Sequence, residues 1–130
     1  MEDEKAKDLR SQVPTSEELV RTMGQVTWLL TLSKDHRDKP ISFVESHVTT
    51  PLMFKQVRVY TKGKQPLAAV VWAYVSPEVK EKIAAGDYKM TLQDWRSGPE
   101  VVVVECISPF LEPSVFTDQF MKQVEALQRA

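Results

Sequence analysis

The stretch Val101-Val102-Val103-Val104-Glu105-Cys106-Ile107-Ser108-Pro109-Phe110 decides the fold. Turn formers bound it, with Ser97, Gly98 and Pro99 before and Ser108 and Pro109 after. Consecutive β-branched residues between such signals predict a strand. The unbroken apolar run predicts that both of its faces are covered. Glu105 does not fit that setting. A lone carboxylate in a buried strand costs several kcal/mol unless it is paired or protonated. Glu105 therefore needs a partner, either a structural Arg or Lys or a member of a functional site. Successive strand residues point to opposite faces, so Cys106 is expected to face away from Glu105. A Cys–His nucleophile organised by Glu105 is then disfavoured, and Cys106 reads as a small buried hydrophobe.

Working outward, Ser114 is expected to cap a last amphipathic helix with Val115, Phe116, Phe120, Met121, Val124 and Leu127 toward the core. Upstream, residues 87–98 read as a third strand or an irregular segment around Trp95. Ser76, Pro77 and Glu78 start a helix, with Ser76 as N-cap and Pro77 at N1, that stops at Gly86. Val57 to Thr61 and Leu67 to Val75 form a β-hairpin around Lys62-Gly63-Lys64-Gln65. Residues 41–56 fit helix or strand, with Pro51 as a breaker. Ser33 to Pro40 is a polar loop. A helix over 16–32 starts with Thr15 and Glu18 at capping-box spacing and continues through Leu19, Val20, Met23, Val26, Leu29 and Leu30. Residues 1–14 read as a charged flexible tail, and 15–130 as a single domain. The fold class is α/β (α+β), a mostly antiparallel sheet flanked by helices.

Composition narrows the function. The chain has 130 residues and a formal charge of −1, which gives no basic field for nucleic acid. One cysteine and two histidines allow no internal disulfide and no Cys/His zinc site, so no metal is expected. No apolar run is long enough to span a membrane, and the charged start is no secretory signal. The cytoplasm is the expected location. The glycines, Gly24, Gly63, Gly86 and Gly98, are too scattered to cradle a pyrophosphate. The glycine-containing loop with which acetyltransferases hold acetyl-CoA is missing too. His36 sits in the polar loop after the first helix and His47 in the ambiguous segment. By default each is a surface residue, and Ser33 a polar helix end.

Several segments together resemble one family. Met23-Gly24-Gln25-Val26-Thr27-Trp28-Leu29 is followed by Ser33, His36-Arg37 and Pro40. Pro66, Trp72-Ala73 and Ser76 come next, then Asp94-Trp95, Ser97-Gly98 and Glu105-Cys106-Ile107-Ser108-Pro109-Phe110. Over about residues 20–122, this order resembles the toxin-activating lysine acyltransferases of the RTX cytolysins, the haemolysin C family. The resemblance implies a Gcn5-related N-acetyltransferase-like fold. It also implies transfer of a fatty acyl group from acyl carrier protein to internal lysines of a protoxin. No cofactor is bound; acyl carrier protein carrying the acyl group is the donor substrate, in keeping with the missing CoA loop.

By the same resemblance, the family's essential histidine falls on His36, its serine on Ser33 and its catalytic aspartate on Glu105. A target lysine must lose a proton before attacking a thioester, and an imidazole suits that task. A carboxylate on the far ring nitrogen would fix the tautomer and stabilise the imidazolium. His36 is thus expected as general base with Glu105 orienting it; contact of Glu105 with the amine is the alternative. Ser33 would hydrogen-bond the thioester carbonyl or brace His36. Arg37, with Lys34 and Lys39, would dock the acidic carrier, unless these are only a solvated charged loop.

The sequence departs from the family pattern in two ways. Glu stands where the family has Asp. The sequence also ends at Ala130, before the family's C-terminal segment of strand and helix, and a homodimer could cover the exposed surface. These departures favour a second reading, a non-catalytic relative that binds acyl carrier protein or an acylated partner. A third is a small acyltransferase acting on another amine or alcohol.

Overall fold

The computed structural model describes residues 13–129. Residues 1–12 of the predicted tail lie outside the described residues. Helix α1 (Ser16–Leu32) begins where the Thr15 side chain accepts a hydrogen bond from the Glu18 backbone N–H at 3.1 Å. Glu17 and Glu18 in the first turn favour the positive end of the helix dipole. Val26, Leu29 and Leu30 are buried, and Met23 packs beside them. Val20, one of the residues in the predicted apolar pattern, is exposed instead.

The polar loop is not extended. The amides of His36 and Arg37 both donate to the Ser33 carbonyl, at 3.1 and 2.9 Å. This tight turn brings the side chains of Ser33 and His36 to one side.

The ambiguous segment is helical. Helix α2 (Ile41–Val44) passes into a π-helical turn (Glu45–Thr49) and then helix α3 (Thr50–Met53). Pro51 does not break it but occupies the first turn of α3. A wider turn just before a proline relieves the ring–carbonyl clash that ends a regular helix.

Strands β1 (Val57–Lys62) and β2 (Gln65–Val75) form the predicted hairpin. Gly63 at its tip has φ +60°, where a side chain would be strained. The valine run becomes strand β3 (Glu100–Ile107), antiparallel to β2, so the sheet order is β1-β2-β3. β2 is therefore central and carries the buried residues Ala68 to Val71, Ala73 and Val75. The expectation of a fully covered valine strand is corrected: Val101 to Val104 are only half-buried, because β3 is an edge strand. Flanking helices and an antiparallel sheet make a mixed α+β fold.

Helix α4 (Pro77–Ala84) is capped by Ser76, whose hydroxyl accepts from the Val79 N–H at 3.3 Å. Gly86 follows its end with φ +87°. Residues 87–98 form no extended strand. A 3₁₀ turn (Leu92–Trp95) closed by a Thr91–Asp94 capping box places Trp95 in the core beneath Val71, Ala73 and Val75. Helix α5 (Pro113–Arg129) starts before the predicted Ser114 cap. Phe116 and Phe120 pack on Ala68 and Val70, whereas Val115 and Leu127 are exposed, against expectation. Gln56, which carries no signal in the sequence, is a buried clasp. Its amide nitrogen donates to the carbonyls of Trp72 and Trp95, at 3.1 and 3.0 Å, and its oxygen accepts from Arg96 Nε at 2.9 Å.

Gly98 lies against the end of β2. A methyl group there would sit 2.5 Å from both N and Cα of Ser76. Because these are backbone atoms, neither can swing away. Gly98→Ala is expected to destabilise the protein by about 1–3 kcal/mol, read as a Tm lower by several degrees in thermal unfolding.

Candidate active site

A bulge in β3 sets the site. Val71 pairs with Glu105 but Trp72 pairs with Val103, so Val104 is an extra residue. Val101 and Val103 face α5, and strict alternation would send Glu105 there too. The extra residue turns it over: Val104 and Ile107 pack on the opposite face, while Cys106 rejoins the α5 side. Glu105 and Cys106 therefore do face apart, as expected. Burial and the nearby Glu105 push the Cys106 thiol up to about 11. At pH 8 it should alkylate on the order of 10²-fold more slowly than a free thiol, with the rate still climbing about tenfold per pH unit until the raised value is reached. Mass spectrometry over a pH series checks this.

On the redirected side, Glu105 meets the turn after α1. Glu105 Oε2 lies 3.0 Å from His36 Nε2, and Ser33 Oγ lies 2.6 Å from His36 Nδ1. The partner that Glu105 required is thus His36, and the longer glutamate reaches it within hydrogen-bond distance. Ser33 is 6% exposed, the His36 side chain 10% and the Glu105 side chain 24%, so the line is more open at its carboxylate end. With Glu105 ionised, Nε2–H donates to the carboxylate. Nδ1 then carries the lone pair that accepts the Ser33 hydroxyl proton. Both ring nitrogens are engaged. Among the described residues, Glu105 Oε1 receives no hydrogen bond.

The His36 and Phe43 ring centroids are 5.9 Å apart. His47 stacks on Phe43, at 4.5 Å and 12°. Burial holds His47 below the usual imidazole range. It is not the plain surface residue expected. Phe43 and His47 share a helix face at i, i+4, a signal that would show only once this segment is read as helical.

A small cavity of about 210 Å³ opens beside His36, with Arg37, Lys39 and Ile41 in its wall. Arg37 and Lys39 thus stand at the site, while Lys34 is exposed and does not line this cavity. A larger cavity lies elsewhere. It is an open apolar groove of about 650 Å³ between α1 and the hairpin tip, lined by Trp28, Leu32, Pro66 and Phe110 among others. No group of three or more His, Cys, Asp or Glu residues suited to a metal occurs among the described residues.

This Ser–His–carboxylate line can hold and move a proton. A profile of HlyC, the RTX toxin acyltransferase family, matches residues 15–128. The chain belongs to this family. Similar proteins include an uncharacterized protein of Synechocystis, 23% identical over 75% of this chain and 68% of its own length. The protein-lysine myristoyltransferase RtxC of Kingella kingae is 26% identical over 77% of this chain and 60% of its own length. The protein-lysine myristoyltransferase HlyC of Escherichia coli is 30% identical over 68% of this chain and 52% of its own length. The matches to the two myristoyltransferases cover about half to three-fifths of those proteins. No described helix of this family member is long and apolar enough to cross a membrane.

Proposed function

We propose that this chain is a protein-lysine acyltransferase. It moves a fatty acyl group from acyl carrier protein to the ε-amine of internal lysines in a protoxin-like protein. The observation that carries the reading is the Ser33–His36–Glu105 line, with its contacts of 2.6 and 3.0 Å. The three-stranded antiparallel sheet with helices on its faces fits the Gcn5-like class, which we include in the proposal.

The reaction is aminolysis of a thioester. The lysine ammonium gives a proton to the His36–Glu105 pair, and the free amine attacks the thioester carbonyl. A C–N bond forms, the C–S bond breaks, and the carrier thiolate leaves to be protonated. The products are an amide, a free carrier thiol and one proton. Since both His36 nitrogens are occupied, the pair's open basic atom is Glu105 Oε1. His36 keeps the carboxylate aligned. Ser33 braces the ring through Nδ1.

Arg37 and Lys39, at the His36 cavity, suit the acidic face and phosphate arm of a carrier protein. The apolar groove at Trp28, Leu32 and Phe110 suits an alkyl chain, and Leu32 immediately precedes Ser33. Offering the same acyl chain on acyl carrier protein and on CoA tests the donor. Transfer from the carrier, and little or none from CoA, is expected. Equal use of both would remove the carrier from the proposal.

A further inference from the structure

A separate cleft of about 310 Å³ shares Phe43 and Lys39 with the His36 cavity, and its wall also includes Glu105, Asp87, Ile83, Met90 and Val104. His36 does not line it, so the triad is reached from two sides. One side carries Arg37, while Lys39 lines both. The other presents the carboxylate whose Oε1 has no hydrogen bond from a described residue. We propose that this cleft admits the acceptor lysine, with its ammonium between Glu105 Oε1 and Asp87 and its methylenes along Ile83, Met90 and Val104. The proposal rests on the acyltransferase reading and names where its second substrate enters.

The chemistry of the walls fits this cargo. A lysine side chain is an apolar stem with a cationic tip, and the cleft pairs apolar walls with carboxylates. Its volume lies at the small end of the usual range for ligand pockets, about 300–1,000 Å³. Tyr88 and Phe43 add aromatic wall for the methylenes, while Lys82 Nζ already lies over the Tyr88 ring, 5.6 Å from its centroid. Lys39 also reaches the cleft and opposes a cation, but its Nζ is held over Phe43, 5.4 Å from the ring centroid. His47, kept neutral by burial, adds no positive charge at neutral pH. Two carboxylates against one ammonium leave the cleft net negative. Entry here lets the carrier and the acceptor approach from different sides, so that amine and thioester meet at the triad.

Asp87 is the residue to change. It is exposed and has φ +56°, a backbone region that Asn also tolerates. Asp87→Asn therefore removes charge with little other disturbance. The test is an amide NMR titration of the whole chain with lysine blocked at both backbone ends. Norleucine blocked in the same way, which lacks the ammonium, is the control. Shifts are expected at Asp87, Tyr88, Met90 and Glu105 with lysine and not with norleucine. Asp87→Asn should weaken binding about 5-fold, and Ile83→Trp, which fills the cleft, should abolish it. Shifts confined to Thr31, Arg37 and Ile41, no shifts at all, or an unchanged affinity in Asp87→Asn would overturn the proposal. Because this readout needs no acyl transfer, it stays distinct from the activity itself. A protein that binds lysine in the cleft yet acylates nothing would sink the acyltransferase reading alone.

Discussion

Replacing His36 with alanine is expected to lower acyl transfer by about 10²–10⁴-fold, the usual contribution of a positioned proton-transfer group. The loss should fall on kcat, because the ring holds the basic carboxylate in place rather than holding the acyl chain. His36 sits in a surface turn fixed by backbone bonds to Ser33, so the fold should survive its truncation. Far-UV circular dichroism and thermal unfolding would check that. Single-turnover kinetics with saturating acyl carrier protein would give the rate. A variant that folds and retains more than about a tenth of the wild-type rate would remove His36 from the chemistry.

Glu105→Gln is the second large effect. Glutamine keeps the length, and its carbonyl can still accept from Nε2–H, so the ring stays in place. What disappears is the basic Oε1 and the negative charge opposite the imidazole. A fall of about 10²–10⁴-fold is expected here as well. Glu105→Asp keeps the charge but draws the carboxylate back by roughly an ångström, a displacement that costs on the order of 10²-fold. Aspartate should therefore be the poorer residue in this chain, because the present backbone holds glutamate 3.0 Å from Nε2. An aspartate variant as fast as wild type would mean that the β3 turn or the His36 loop readjusts freely.

Much of this arrangement was legible in residue types and spacing. Four valines between turn formers gave β3, Ser76-Pro77 gave the start of α4, and Thr15 gave that of α1, because each signal is local. The burial of β3 was not legible. Continuous valines fit a strand covered on both faces, but order in a sheet depends on pairing between distant segments. The central place went to β2, whose alanines allow helices to approach. Residues 41–56 hid a helix for a related reason: Pro51 reads as a breaker unless a π turn precedes it, and that turn is a tertiary accommodation. His47 was hidden with it.

The site followed the same division. The carboxylate in an apolar strand announced that Glu105 needs a partner, and the resemblance to haemolysin C pointed to His36 and Ser33. Nothing in the sequence marked the bulge at Val104, which exists only as a mismatch of register between two strands. Yet that bulge turns Glu105 from the α5 face toward His36. Straightening it would leave the carboxylate against Phe116 and Phe120 and His36 without a partner.

The measurement that tests the central claim most directly is the intact mass of donor and acceptor over a single turnover. The chain would be mixed with fatty acyl carrier protein and a lysine-containing protoxin segment. The account predicts that the donor loses one acyl mass as the acceptor gains it. The new bond should resist hydroxylamine and map to a lysine, and transfer should collapse in His36→Ala. A donor that stays charged while the chain binds it, across several acyl lengths, would contradict the account and make the Ser33–His36–Glu105 line a structural feature.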